Sequence, residues 1–171
     1  MLVVAATCIC AVQGGIGDPV LDSTDPRLGV KGQYLFHLAK GNDWPEEAKS
    51  GPFVVAIHNK PDLVEEMASK YGSHPIGAQS LRIIGIEEPE QANHPQVLYT
   101  EAEGKDLSAL LQAVAKTPTL VVTGEQSNMP DGSAVNLVVH EGSLRYEMNV
   151  QEAQRHGVLV GNRIASWAIR R

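Results

Sequence analysis

The chain has 171 residues, of which 43% are hydrophobic and 20% are charged, and its formal net charge is −6. This length and composition predict one globular domain with a substantial apolar core. The basic residues are scattered among acidic ones rather than gathered in a stripe, which argues against nucleic acids and anionic lipid surfaces as partners.

An apolar run over residues 2–12 opens the chain. The run is too short to cross a bilayer and has the length of a signal-peptide core, so we expect a signal peptide over residues 1–13 and export. No Lys or Arg precedes it, and a buried first strand of a cytosolic protein is the alternative. Cys8 and Cys10, the only cysteines, lie in this run. The processed chain would therefore form no disulfide.

Residues 14–26 are rich in Gly, Asp, Pro and Ser and predict a linker before a single domain over residues 27–171. Apolar side chains at helical spacing then predict a helix over residues 27–40, which Gly-Asn and Pro45 end. Trp44 is either packed in the core or exposed as a binding anchor. We favour packing because a Trp side chain buries so much apolar area.

Strands and helices alternate through the middle of the chain. Apolar runs predict strands over residues 52–59, 81–86, 96–101 and 117–125, and helical spacing predicts helices over residues 60–72 and 105–116. This alternation predicts an α/β fold of three layers, a mostly parallel sheet with helices on both faces. The first strand is apolar throughout, so we expect it to be buried on both faces.

The chain carries no motif of a catalytic or metal site. Its six histidines lack the spacing of zinc ligands, and its glycines do not form a phosphate-binding loop. Ser127 lacks the strand–turn–helix context of a nucleophile. Glu87, Glu88 and Glu90 surround a proline in a polar loop, which is typical of a solvated surface. We therefore expect no catalytic residue, no bound metal and no cofactor.

The stretch AVNLVVHEGSLRYEMNV, residues 134–150, predicts a β-hairpin with Glu141-Gly142 as its turn. The resulting register pairs Val139 with Leu144, Leu137 with Tyr146 and Val135 with Met148 on an apolar face, and His140 with Ser143, Val138 with Arg145 and Asn136 with Glu147 on the other. We expect the Asn136 amide to donate to the Glu147 carboxylate, with Arg145 in reach of the same carboxylate. The hairpin should add antiparallel strands at one edge of the sheet.

Asn149 has a local explanation of its own. With Glu152 three residues later, it matches a capping box at the start of a helix over residues 150–156. Gly157 then ends that helix. A second short helix is expected in the last ten residues.

The chain resembles the YfiR family over residues 30–168. The resemblance rests on the stretches VKGQYLFHLAKGNDWP, PFVVAIHN and GSAVNLVVHEGSLRYEMNVQEAQRHGVLVGNRIASWA. The last block is the most specific, because it combines an Asn in the first strand, a Gly turn, an Arg-aromatic-Glu strand and a following Asn. The matching positions are Trp44, Pro45, Asn136, Gly142, Arg145, Tyr146, Glu147 and Asn149.

This resemblance implies a small exported protein of the periplasm. Members of the family bind the periplasmic domain of an inner-membrane diguanylate cyclase and hold it inactive, and an outer-membrane lipoprotein can sequester them, which raises cyclic-di-GMP and favours biofilm. For this chain it implies a non-enzymatic regulator, with Trp44, Arg145 and Glu147 as partner-binding residues and Pro45, Asn136, Gly142, Tyr146 and Asn149 as structural ones. A homodimer is left open. The disulfides of some members cannot be carried over, because the processed chain has no cysteine.

A periplasmic small-ligand-binding module of a signalling or transport system is the alternative. Doubly wound sheets bind ligands beyond the carboxyl ends of their strands. Here those ends lead into the polar segments NKPD, EEPEQ, EAEGK and GEQSN. A hydrolase or similar enzyme is the least favoured hypothesis.

Overall fold

The computed structural model describes residues 25–169. The expected signal peptide, most of the expected linker and both cysteines lie outside these residues. Within residues 25–169, no helix is both long enough and apolar enough to span a bilayer.

The described residues contain the elements that the sequence predicts, with ends shifted by a few residues. The helices are α1 (Leu28–Gly41), α2 (Pro61–Tyr71), α3 (Gly104–Val114), α4 (Val150–Arg155) and α5 (Asn162–Trp167). The strands are β1 (Phe53–His58), β2 (Leu81–Ile86), β3 (Val97–Thr100), β4 (Leu120–Gly124), β5 (Val135–His140) and β6 (Ser143–Met148). Two short 3-10 helices lie at Glu46–Lys49 and Pro89–Gln91.

The six strands form one sheet in the order β2-β1-β3-β4-β5-β6. The first five are parallel to one another, and β6 is antiparallel to β5. This confirms the predicted α/β fold and the antiparallel hairpin at the sheet edge. Strands β4 and β5 are parallel although a loop without a helix joins them, whereas a parallel crossover usually contains one.

Apolar clusters pack on both faces of the sheet, because successive side chains of a strand point to opposite faces. The larger cluster lies between the sheet and helices α1, α2, α4 and α5, with Leu35, Met67 and Ile164 among its members. The smaller cluster lies under α3, whose Leu110 and Val114 pack on the other face. Strand β1 is buried on both faces except at the half-buried Val54, much as its continuous apolar run predicts.

The hairpin has the predicted register at all six pairs. Glu141 and Gly142 both have positive φ angles, 49° and 75°, as a two-residue hairpin turn of type I′ requires. The Asn136 Nδ2 atom donates to Glu147 Oε2 at 3.4 Å and to the Gln126 carbonyl at 2.9 Å. The cross-strand hydrogen bond is therefore confirmed, and the contact between Arg145 and Glu147 stays a prediction.

Asn149 caps helix α4 as predicted, since its Oδ1 atom accepts a hydrogen bond from the Glu152 backbone at 3.0 Å. Gly157, with a φ of 74°, follows the helix end. The Glu152 carboxylate lies 2.6 Å from Arg155 Nη2, one turn further along α4.

Candidate functional site

The carboxyl ends of β3 and β4 meet a buried cation from α1. The Lys31 Nζ atom lies 2.8 Å from Glu101 Oε1, just after β3, and 3.0 Å from Glu125 Oε1, just after β4. It also lies 2.6 Å from Asp25 Oδ2, before α1. Lys31 is only 3% exposed. We call Lys31 and these three carboxylates the Lys31 cluster.

Further polar side chains extend the Lys31 cluster across the sheet edge. Lys60, after β1, lies 2.5 Å from Glu101 Oε2, and the Tyr99 hydroxyl donates to Glu101 Oε1 at 2.6 Å. Strands β1 and β3 flank the point where the strand order reverses, and this is where doubly wound sheets bind their ligands. The residues that would line a ligand crevice there bind one another instead. Among residues 25–169, no group of three or more His, Cys, Asp or Glu side chains is arranged to hold a metal ion.

In the Lys31 cluster, ion pairs and hydrogen bonds together shift the pKa values of Lys31, Glu101 and Asp25 more than burial does. Burial alone would lower the pKa of Lys31, but its hydrogen bonds to three carboxylates raise that pKa well above the ordinary value. Burial alone would raise the pKa of Glu101 and of Asp25, yet the hydrogen bonds that they accept, first of all from Lys31, lower both. Burial and the bond to Glu101 raise the pKa of Tyr99. The lysine and these two carboxylates are therefore charged at neutral pH.

We expect these carboxylates to make the protein sensitive to acid. Their pKa values are lower in the folded chain than in the unfolded chain. Their contribution to stability is therefore complete at a pH above their pKa in the unfolded chain, which is about 4. It is lost as the pH falls through the folded-state values. Urea unfolding at pH 7, 5 and 3 measures this loss. A Glu101→Gln variant should lose less free energy of unfolding between pH 5 and pH 3 than the parent, and an equal loss would contradict this role.

A groove with a volume of about 380 Å³ lies between α1, β6 and α5. Two tyrosines build its base: the rings of Tyr34 and Tyr146 meet edge to face with centroids 5.4 Å apart. The Tyr146 hydroxyl donates to the Ile164 carbonyl at 2.6 Å, and the Tyr34 hydroxyl donates to the Leu144 carbonyl at 2.9 Å. Burial raises the pKa of Tyr146 to about 12, so this phenol remains a neutral donor. These contacts join the three elements that form the groove.

Large apolar side chains stand exposed at this groove. Trp167 of α5 is 56% exposed and Val30 of α1 is 40% exposed, and both line it together with Arg145. Exposed apolar groups beside a cation are typical of protein-binding surfaces. The sequence places Trp167 three residues after the buried Ile164, which is the spacing of a single helix face. Its exposure therefore had no signal in the sequence.

The three residues expected to bind a partner lie in different surroundings. Arg145 is exposed and lines the groove. Trp44 is 4% exposed, donates from Nε1 to the Gln96 carbonyl at 3.2 Å, and meets the Phe53 ring edge to face at 4.9 Å. Glu147 is 8% exposed. This arrangement favours the packing alternative for Trp44 and leaves Arg145 as the member of the three with an accessible side chain.

A family model described as YfiR/HmsC-like matches residues 29–168, from the start of α1 to just beyond α5. No curated protein sequence matches the chain.

Proposed function

This chain belongs to the YfiR/HmsC-like family, and we propose that it works as a periplasmic regulatory protein rather than as an enzyme. It binds the periplasmic domain of an inner-membrane diguanylate cyclase and holds that enzyme inactive, which keeps cyclic-di-GMP low and disfavours biofilm. Sequestration by an outer-membrane lipoprotein would release the cyclase.

The observation that carries this proposal is the groove with Trp167, Val30 and Arg145 at its surface. Trp and Arg are the side chains that most often dominate the energy of protein–protein contacts. An apolar side chain of the partner would enter between α1 and α5, next to Tyr146. A partner carboxylate would pair with the Arg145 guanidinium. The groove thus predicts a partner that presents an apolar residue beside an acidic one.

The groove is already formed in the free protein, because hydrogen bonds from Tyr34 and Tyr146 hold its walls together. A site that needs little rearrangement loses little conformational entropy when the partner binds. This suits a regulator that must remain bound to the cyclase until it is sequestered.

The test measures cyclic-di-GMP in cells that express this protein with the membrane cyclase encoded beside it. Deleting the gene should raise cyclic-di-GMP severalfold, and the parent chain should restore the low level. Arg145→Glu should fail to restore it, because it places a carboxylate where the partner's carboxylate is expected. Lys105→Glu, a charge reversal on the exposed surface of α3, should restore it as well as the parent. An unchanged level on deletion, or full repression by Arg145→Glu, would contradict the proposal.

A further inference from the structure

We propose that a second cavity, on the α3 face of the sheet, binds a small organic carboxylate. The cavity has a volume of about 660 Å³ and lies at the amino ends of the strands, away from the Lys31 cluster. This volume is in the range of small-molecule sites. The cavity is also separate from the groove, since the two share no lining residue.

The base of the cavity is apolar. Val54 of β1 and Ile84 of β2 project to the same face as Ala56, because residues two apart in a strand share a face. Helix α3 packs over Ala56 with Leu110, whereas Val54 and Ile84 remain only half-buried. An apolar patch at the side of α3 is thus left for a ligand to cover.

One wall of the cavity is rigid. The Gln96 amide bridges two backbone segments: its Nε2 atom donates to the Ala48 carbonyl at 2.8 Å, and its Oε1 atom accepts from the Val54 backbone at 2.7 Å. Gln96 is 6% exposed. Its side chain holds the start of β1 against the 3-10 helix Glu46–Lys49, so the cavity does not depend on a ligand for its shape.

Two nitrogen-bearing side chains supply the polar contacts. Arg82 is exposed and has no ion pair or side-chain hydrogen bond within residues 25–169. It pairs with Val54 across β1 and β2, so its guanidinium leaves the sheet beside the apolar base. His94, whose φ of 50° is uncommon for a residue other than glycine, also lines the cavity. Glu47 is the one carboxylate among the described residues that line the cavity.

This combination selects the class of ligand. A guanidinium binds a carboxylate with two parallel hydrogen bonds, and an imidazole can add an N–H donor. A neutral apolar molecule would leave Arg82 without a partner, and a small inorganic anion would leave Val54 and Ile84 uncovered. A carboxylate on a small apolar body uses both features.

The test is a titration of the ¹⁵N-labelled protein with benzoate, followed by two-dimensional ¹H–¹⁵N spectra. The amides of Arg82, Ile84 and His94 should shift together and saturate. The neutral isostere benzamide and inorganic phosphate should each bind at least tenfold more weakly. Equal binding of benzamide, equal binding of phosphate, or benzoate shifts that centre on Trp167 would overturn the proposal.

Two variants distinguish binding at this cavity from a general effect of surface charge. Arg82→Gln should weaken benzoate binding at least tenfold, while its unbound spectrum stays that of the folded parent. Lys105→Gln, which removes an exposed cation from α3, should bind benzoate like the parent. Unchanged binding by Arg82→Gln, or equal weakening by both variants, would overturn the proposal. Arg82 lines the cavity and not the groove, so repression of the cyclase by Arg82→Gln depends on the groove alone. The ligand proposal and the regulatory proposal can therefore be contradicted separately.

Discussion

Replacing Lys31 with Met should lower the free energy of unfolding by about 3–5 kcal/mol, the cost of removing one partner from a buried ion pair. Methionine fills a similar volume but removes the one cation that all three carboxylates share. Only the more exposed Arg27 and Lys60 then remain paired with them. Repulsion between these carboxylates adds to the loss of their hydrogen bonds. Equilibrium unfolding in urea at pH 7 measures the change.

Lys70 offers a matched control, because it also pairs with a carboxylate, that of Glu66 one turn back along α2. It is exposed, so Lys70→Met should leave the free energy of unfolding nearly unchanged. Adding Glu101→Gln to Lys31→Met should recover part of the loss, because it removes one of the three carboxylate charges that repel one another once Lys31 is gone. If Lys31→Met were as mild as Lys70→Met, the Lys31 cluster would not hold α1 to the strand ends.

The two tryptophans should respond in opposite ways to truncation. Trp44→Ala should lower the free energy of unfolding by about 3–5 kcal/mol, because it empties a buried site against Phe53 and removes one of the two donors to the Gln96 carbonyl. Trp167→Ala should change stability little, since that ring is mostly exposed. If the proposed function is right, it should instead weaken binding of the cyclase's periplasmic domain at least tenfold.

Urea unfolding and isothermal titration calorimetry with the purified periplasmic domain measure the two effects. Each variant is the control for the other, because the same residue type is truncated in both. Unchanged binding by Trp167→Ala would remove the groove as the contact surface. A stability loss as large as that of Trp44→Ala would show that Trp167 serves the fold instead.

The Lys31 cluster occupies the edge of the sheet where ligands bind in many proteins of this architecture. In many doubly wound sheets the strand carboxyl ends form a ligand crevice. Here Lys31 and Lys60 join those ends to one another through Glu101. The groove and the second cavity lie elsewhere, one beside the edge strand β6 and the other at the amino ends of β1 and β2. Both proposed binding surfaces thus lie away from the point between β1 and β3 where sheets of this architecture usually bind ligands.

Local patterns in the sequence determined the elements, the hairpin and the cap. The register of β5 and β6 could be predicted because a slip by one residue would expose Leu137 and Tyr146 to water. The Asn149 cap involves groups three residues apart, so a short stretch of sequence contains all of it. The alternation of strands and helices along the chain likewise predicted a sheet with helices packed on its faces.

Only the tertiary structure decided where the proposed binding surfaces lie. Lys31 and Glu101 are 70 residues apart, and nothing near either of them shows that a lysine on a helical stripe meets the end of β3. Trp44 lies shortly after α1 and Trp167 is the last residue of α5, yet Trp44 is buried and Trp167 is exposed. Sequence patterns report the period and the polarity of a segment, which act over a few residues. Burial of a side chain depends on which segments pack together, and that is settled by contacts distant in the chain.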